Sequence, residues 1–251
     1  MIDMEITVKC VYDEGALEDT PLIGAKGFSV LIEADGRRVL VDTGLRDRYL
    51  KHNIEELEID PASIEAVVIT QPHPDNCRAL NALLDMREEP VKVYAPKGLY
   101  DGKNGFLPGS IGLSDENRPK AQIDTSEGWI DVVPGVTLTP YIDSDGYRER
   151  FVVIQARRTT VISGRGVEGP GSVLDLVKDH SGSYPEAYLG AVLLEKAKKP
   201  VAKAFADDFV SRNCNRLLLN HCTGRDGITN LRTHLGLHGV EDFFVGSVYK
   251  G

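Results

Sequence analysis

Four consecutive apolar residues, Ala66-Val67-Val68-Ile69, run directly into Thr70-Gln71-Pro72-His73-Pro74-Asp75-Asn76, and this junction constrains the fold more than any other stretch of the chain. A short apolar run bounded by turn residues reads as a buried strand, so the polar segment after it is a turn at the end of that strand. Imidazole and carboxylate suit Zn, Mn or Fe, and a tight turn converges them. His73 and Asp75 therefore give the turn the outline of a metal site. A structural turn whose polar groups satisfy one another is the other reading, and both stay open at this point.

The flanking sequence is β-rich first and helical later, twice over. Ile6 to Val11, Gly27 to Ala34 and Arg37 to Val41 read as strands, the last two joined at Asp35-Gly36, a dipeptide that accepts the positive φ angles of a hairpin turn. Leu45 to Leu57 has helical spacing, Pro61 to Glu65 looks like one helical turn, Arg78 to Met86 is a short amphipathic helix, and Val91 to Ala95 is another strand. Residues 96–127 are rich in Gly, Pro, Asn, Ser and Asp without a period, which predicts a long surface excursion. Beyond it, Trp129 to Val133, Val136 to Pro140, Arg150 to Ala156 and Thr159 to Ser163 read as strands. Ser172 to Lys178, Val201 to Ser211 and Ile228 to Leu235 read as helices, Leu217 to Leu219 as a buried strand and Phe243 to Val248 as the closing strand. Two such halves imply two sheets face to face with helices outside, within a single domain over residues 1–251.

A chain of 251 residues, 41% hydrophobic, can bury a sizeable core. Its formal net charge of −9 and lack of a basic run disfavour nucleic acid and anionic membrane as partners. Met1 to Glu5 has no leader pattern, and no apolar run approaches the roughly 20 residues of a membrane helix. Cys10, Cys77, Cys214 and Cys222 are far apart and form no C-x-x-C pair, as expected of reduced thiols. A cytoplasmic location follows as the expectation, with a homo-oligomer left open. Gly164 to Gly171 is Gly-rich before a helix, which fits either a flexible turn or amides presented to an anion. His234 and His238, His52 and His180 read as solvated, and Cys222 as part of a turn rather than a nucleophile.

Taken in order, Gly27-Phe28-Ser29, then Asp42-Thr43-Gly44, then residues 64–76, then His221-Cys222-Thr223-Gly224 resemble the metallo-β-lactamase superfamily. The closer likeness is to its branch of dihydropterin (ribofuranosyl)aminobenzene 5′-phosphate synthases and related metallo-hydrolases. The resemblance implies an α/β (α+β) fold, a four-layer αββα sandwich. It also implies a turn of pattern H-x-H-x-D-H, in which Gln71 and Asn76 stand where the first and last His would be. The segment that would carry a further His is Ser163-Gly164-Arg165-Gly166-Val167, and Leu193 stands where another would be. His73, Asp75 and His221 are the surviving catalytic and metal-ligand candidates, Gln71, Asn76 and Arg165 the substrate-binding ones, and Asp42 a support beneath them. These three ligands would hold at most one divalent ion (Zn, Mn or Fe), or none. Arg165 is a candidate to offset the charge of Asp75 in place of an ion. Two functions remain open: a hydrolase or transferase acting on a small anionic compound, pterin-like or phosphorylated, and a non-catalytic pseudoenzyme serving as a binding or assembly module.

Overall fold

The computed structural model describes residues 5–100 and 111–251. Its strands and helices, in chain order, begin with β1 (Ile6–Tyr12), β2 (Ser29–Ala34), β3 (Arg37–Val41), α1 (Asp47–Glu56), β4 (Ala66–Val68), α2 (Pro74–Cys77), α3 (Leu80–Asp85), β5 (Val91–Tyr94) and β6 (Ala121–Asp124). Next come β7 (Ile130–Val133), β8 (Val136–Leu138), β9 (Ile142–Ser144), β10 (Tyr147–Glu149), β11 (Val152–Gln155), β12 (Thr159–Ser163), α4 (Pro170–Ser181) and β13 (Ala187–Gly190). The chain closes with α5 (Lys199–Ser211), β14 (Arg216–Leu219), α6 (Gly224–Leu235), β15 (Val240–Asp242) and β16 (Val248–Lys250). Residues 5–127 and 244–250 form one compact unit, and residues 128–243 belong to the other.

The first unit is built on a seven-stranded sheet of order β16-β1-β2-β3-β4-β5-β6. β1, β2 and β3 are antiparallel, the last two joined at Asp35 (φ 49°) and Gly36 (φ 80°), as that dipeptide requires. From β3 to β6 the strands are parallel, so helices α1 and α3 supply the crossovers. Leu50 and Ile54 of α1 and Leu80, Leu83 and Leu84 of α3 share one core with Leu31, Leu40, Val67 and Val93 of the sheet. Each such leucine, removed from water, contributes roughly 1.5–3 kcal/mol before entropy is counted. The alternate strand residues Val30, Ile32, Val39, Val41 and Val68 are buried too, so the sheet is apolar on both faces.

The second unit has a seven-stranded sheet of order β15-β14-β13-β12-β11-β8-β7 and a separate hairpin, β9-β10. Its β12 to β15 are parallel. Val173, Leu174 and Val177 of α4, Ala202, Ala206 and Phe209 of α5, and Ile228 and Leu231 of α6 share a core with Val153, Val161, Tyr188 and Leu217. The fold class is thus the mixed α/β one expected, with two large sheets.

Three expectations are corrected. Residues 101–110 of the supposed excursion lie outside the described residues, but its flanks are not surface: Leu99, Tyr100 and Leu113 are buried in the first core, and β6 pairs with β5. Polar composition hid this because the polar groups are satisfied internally, buried Asn117 donating to Asp85 Oδ1 at 2.6 Å and to Asn81 Oδ1 at 3.3 Å. The helix expected over Arg78 to Met86 is narrower, α3 at Leu80–Asp85, and a separate short helix, α2, precedes it within the turn at Pro74–Cys77. Phe243 to Val248 is not one strand, since its two ends belong to different sheets, β15 stopping at Asp242 and β16 starting at Val248, with Gly246 at φ 93° between them.

Candidate functional site

In both units the motif residues follow the carboxyl ends of parallel strands, where an open α/β sheet leaves room for ligands. Asp42 follows β3 and the 70–76 turn follows β4, while Gly164 follows β12, Ala191 follows β13 and Asn220 follows β14.

Asp42 is fully buried, and its backbone is in the left-handed region at φ 58°, a conformation Asp tolerates better than most residues. Its Oδ1 accepts from Thr70 N at 2.8 Å, and its Oδ2 accepts from Thr70 Oγ1 at 2.7 Å and from Asn76 Nδ2 at 2.7 Å. Gln71 Nε2 in turn donates to Asn76 Oδ1 at 3.1 Å. The two amides at the places where the resemblance puts His are therefore joined in a chain, Gln71 to Asn76 to Asp42 to Thr70, and all four residues are buried. Asp42 holds the turn through three hydrogen bonds.

His73 and Asp75 are brought together as neighbours. His73 caps the short helix α2, its Nδ1 accepting from Asp75 N at 3.2 Å, which makes Nδ1 the unprotonated nitrogen. Asp75 Oδ2 lies 3.6 Å from that nitrogen and 3.7 Å from Lys26 Nζ. Cys77 donates to His73 O at 2.9 Å, and burial pushes its thiol well up, with Asp42 and Asp75 adding to the shift.

Arg165, Leu193 and His221 belong to the second unit. The Gly-rich segment around Arg165 does present its amides to an anion, but the anion is the protein's own Glu149. Glu149 Oε1 accepts from Ser163 Oγ at 3.2 Å, Arg165 N at 2.9 Å and Gly166 N at 3.2 Å, and Oε2 accepts from Val167 N at 2.8 Å. Complete burial raises the Glu149 carboxyl above its ordinary value, with the Val167, Arg165 and Gly166 amides and the Ser163 hydroxyl pulling the other way. Gly166 has φ 72°, and a Cβ there would lie 2.4 Å from Ala191 O, so this loop demands glycine. The Arg165 guanidinium sits over the Tyr147 ring, 5.3 Å from its centroid. Asp75 belongs to the first unit and Arg165 to the second.

His221 is buried, with φ 51° at the start of a 3-10 turn, His221–Thr223. A non-glycine residue in that region is uncommon and stores strain that the surroundings must impose. Here Thr223 Oγ1 accepts from Val192 N at 3.1 Å, and Cys222 O accepts from Leu194 N at 3.1 Å and from Glu195 N at 3.0 Å. Leu193 N donates to Gly166 O at 3.1 Å, so three segments that carry family positions are tied together by backbone. Sequence reasoning missed Glu149. Its only signal was a Gly-rich loop in want of an anion. Among the described residues none of the four cysteines is in a disulfide.

The family model described as the metallo-beta-lactamase superfamily matches residues 23–204, and the chain belongs to that superfamily. Among curated proteins it is similar to the 7,8-dihydropterin-6-methyl-4-(beta-D-ribofuranosyl)-aminobenzene-5'-phosphate synthase of Methanocaldococcus jannaschii, at 22% identity over 201 residues, 78% of this chain and 68% of the relative. Among solved structures, a metal-dependent hydrolase of the beta-lactamase superfamily superposes with a TM-score of 0.70 at 17% identity, covering 97% of this chain and 98% of the other. The metallo-beta-lactamase fold protein YhfI from Bacillus subtilis gives 0.66 at 14% identity, covering 98% and 100%. A diphosphatase from the PhnP family gives 0.63 at 12% identity, covering 99% and 98%. These structural likenesses establish the fold.

The superfamily implies divalent metals. Among the described residues no group of three His, Cys, Asp or Glu side chains is placed to hold a metal ion, and Gln71 Nε2 and both polar atoms of the Asn76 amide are engaged with each other and with Asp42.

Proposed function

We propose that this chain keeps the fold of a metal-dependent hydrolase or transferase while its 70–76 turn no longer serves a divalent ion. In this reading it binds a small anionic compound, phosphorylated or pterin-like, without metal-dependent turnover. The observation that carries the reading is the amide chain from Gln71 through Asn76 to Asp42, which engages the Gln71 nitrogen and both polar atoms of Asn76 without a cation. The ligand class is supported by the relative from Methanocaldococcus jannaschii, whose name gives a pterin and a phosphate. A metal-free hydrolase using His73 as general base is less well supported, since the unprotonated Nδ1 already accepts from Asp75 N.

Net charge of −9 supports a partner set without nucleic acid, and four unbridged cysteines support a reducing, cytoplasmic setting. Among the described residues no helix is long and apolar enough to cross a membrane. A homo-oligomer is compatible with this reading.

The test is titration of the chelator-free protein with Zn, Mn and Fe, read by thermal unfolding and metal analysis. A ligand of the folded state at 100 times its Kd stabilises by about 2.7 kcal/mol, so useful affinity cannot escape detection. The wild type is expected to show no stoichiometric uptake and no shift, and Gln71→His combined with Asn76→His to gain a shift. Stoichiometric metal in the wild type overturns the proposal.

A further inference from the structure

The first unit contains seven described arginines, and four of them are held by a carboxylate or a backbone carbonyl of the protein. Arg37 pairs with Glu65 at 2.6 Å and Arg38 with Glu33 at 2.7 Å, while Arg87 donates to Ile64 O at 3.0 Å and Arg118 to Tyr100 O at 3.4 Å. The remaining three, Arg46, Arg48 and Arg78, line one concavity of about 740 Å³ together with Leu45, Asp47 and Tyr49. None of them has a carboxylate within ion-pairing distance among the described residues. Arg48 donates to the Tyr49 hydroxyl and lies over that ring, 4.4 Å from its centroid. Two other concavities of the same unit lack this character, because Lys92 in one is paired with Asp124 at 3.0 Å and Arg38 in the other with Glu33.

Three guanidiniums without a salt bridge line one concavity that holds a single carboxylate, Asp47, which Arg78 attracts, so the lining keeps an excess of positive charge. Their clustering is therefore a cost that an external anion would relieve. The backbone beneath them is preset. Gly44 bridges to Cys77, Ala79 N donates to Gly44 O at 3.1 Å and Thr43 N to Asn76 O at 2.6 Å, so the segment leading to Arg46 and the start of α1 is tied to the segment carrying Arg78. Tyr12 Oη accepts from Arg46 N at 3.3 Å and anchors the loop from below. α1 begins at Asp47, and no side chain caps its first turn, so the positive end of that helix opens at the same place. Asp47 is the one acidic residue of the lining and leaves it net positive.

We propose that Arg46, Arg48 and Arg78 form a binding site for the phosphate group of a small molecule. Guanidinium forks match the oxygens of a phosphate two at a time, and three of them converging on one concavity suit a doubly charged oxyanion better than a chloride or a single carboxylate. The site is separate from the amide chain of the 70–76 turn and stands whether or not that turn binds metal.

The experiment is calorimetric titration of the full chain at constant ionic strength with inorganic phosphate, phenyl phosphate, sulfate and chloride. Saturable phosphate binding is expected, weakened about ten-fold or more by Arg46→Ala and by Arg78→Ala, as the loss of one charge-assisted bond implies. Arg37→Ala, a surface change outside the site, is expected to leave it intact. All three positions are exposed, and unchanged urea unfolding curves verify that each variant is folded. Tighter phenyl phosphate assigns the site to an organic phosphate, and tighter inorganic phosphate to the free ion. Binding that is not saturable, that chloride matches at equal ionic strength, or that survives both substitutions overturns the proposal. Metal uptake by the wild type would overturn the reading of the turn alone, because guanidinium groups are not metal ligands.

Discussion

Replacing Glu149 tests whether a buried carboxylate shapes the loop that carries Arg165. In Glu149→Ala four donors lose their acceptor. Two of those bonds are buried, from Ser163 Oγ and Gly166 N, and two are part-buried, from Arg165 N and Val167 N, where water can substitute. A buried donor left without an acceptor costs about 1–3 kcal/mol, so the two buried ones together cost about 2–6 kcal/mol. The Ser163 hydroxyl can turn elsewhere, and the substitution also removes a carboxyl whose charged form burial disfavours, so the lower half of that range applies. About 3 kcal/mol is expected, or a fall in Tm of about 6–12 °C for a chain of this size. Glu149→Gln is the discriminating control. It can keep the three bonds to Oε1, but its amide nitrogen then faces Val167 N where Oε2 stood at 2.8 Å, donor against donor, for about 1 kcal/mol. Urea unfolding followed by fluorescence of Trp129 is the assay, because the chain has one Trp and it stacks on His180 within this unit at 3.6 Å between centroids. An alanine variant within about 1 kcal/mol of wild type, or more stable than the glutamine variant, would refute the assignment of these amides to Glu149.

Three further outcomes are expected. Asp42→Asn keeps a side chain that tolerates φ 58° but replaces one acceptor oxygen by an NH2 that meets the Thr70 or Asn76 donors, and denaturant unfolding is expected to show a loss of about 2 kcal/mol. Gly44→Ala places a Cβ 2.5–2.7 Å from the Tyr12 ring at φ 77°, so backbone strain and overpacking together lower stability by about 2–4 kcal/mol, and a loss under about 0.5 would contradict that geometry. Arg212 grips Asp175 at 2.7 and 2.8 Å and lowers its carboxyl from 3.8 to about 2, so the stabilisation is full above 3.8 and lost as the pH falls toward 2. The Asp175 side chain is 46% exposed, which limits the effect to under about 1 kcal/mol, and Asp175→Asn should flatten the stability curve over that acid range alone.

Much of the fold was legible in the sequence because its signals are local. Alternation and apolar runs located β1 to β5 within a residue or two, Asp35-Gly36 marked the first hairpin, and the ordered motifs named the superfamily. By the same resemblance, Gln71, Asn76 and Leu193 stand where the family pattern has His. What the replacements do was not legible. That Gln71 donates to Asn76, and Asn76 to Asp42, depends on the register of β3 against β4. That the Arg165, Gly166 and Val167 amides meet Glu149 depends on a hairpin, β9-β10, too short to leave a periodic trace. Polar Asn117, Asp85 and Asn81 made 96–127 look like surface, whereas hydrogen bonds among them let Leu99, Tyr100 and Leu113 enter the core. Arg46, Arg48 and Arg78 carried no common pattern, since Arg46 precedes α1, Arg48 lies in its first turn and Arg78 follows α2. Periodicity and turn chemistry are properties of neighbours along the chain, and the chain's own composition was enough to determine strands, helices and family. Which buried donor meets which acceptor, and which charges are left unpaired, is set by contacts between distant residues, and only the tertiary structure decided those.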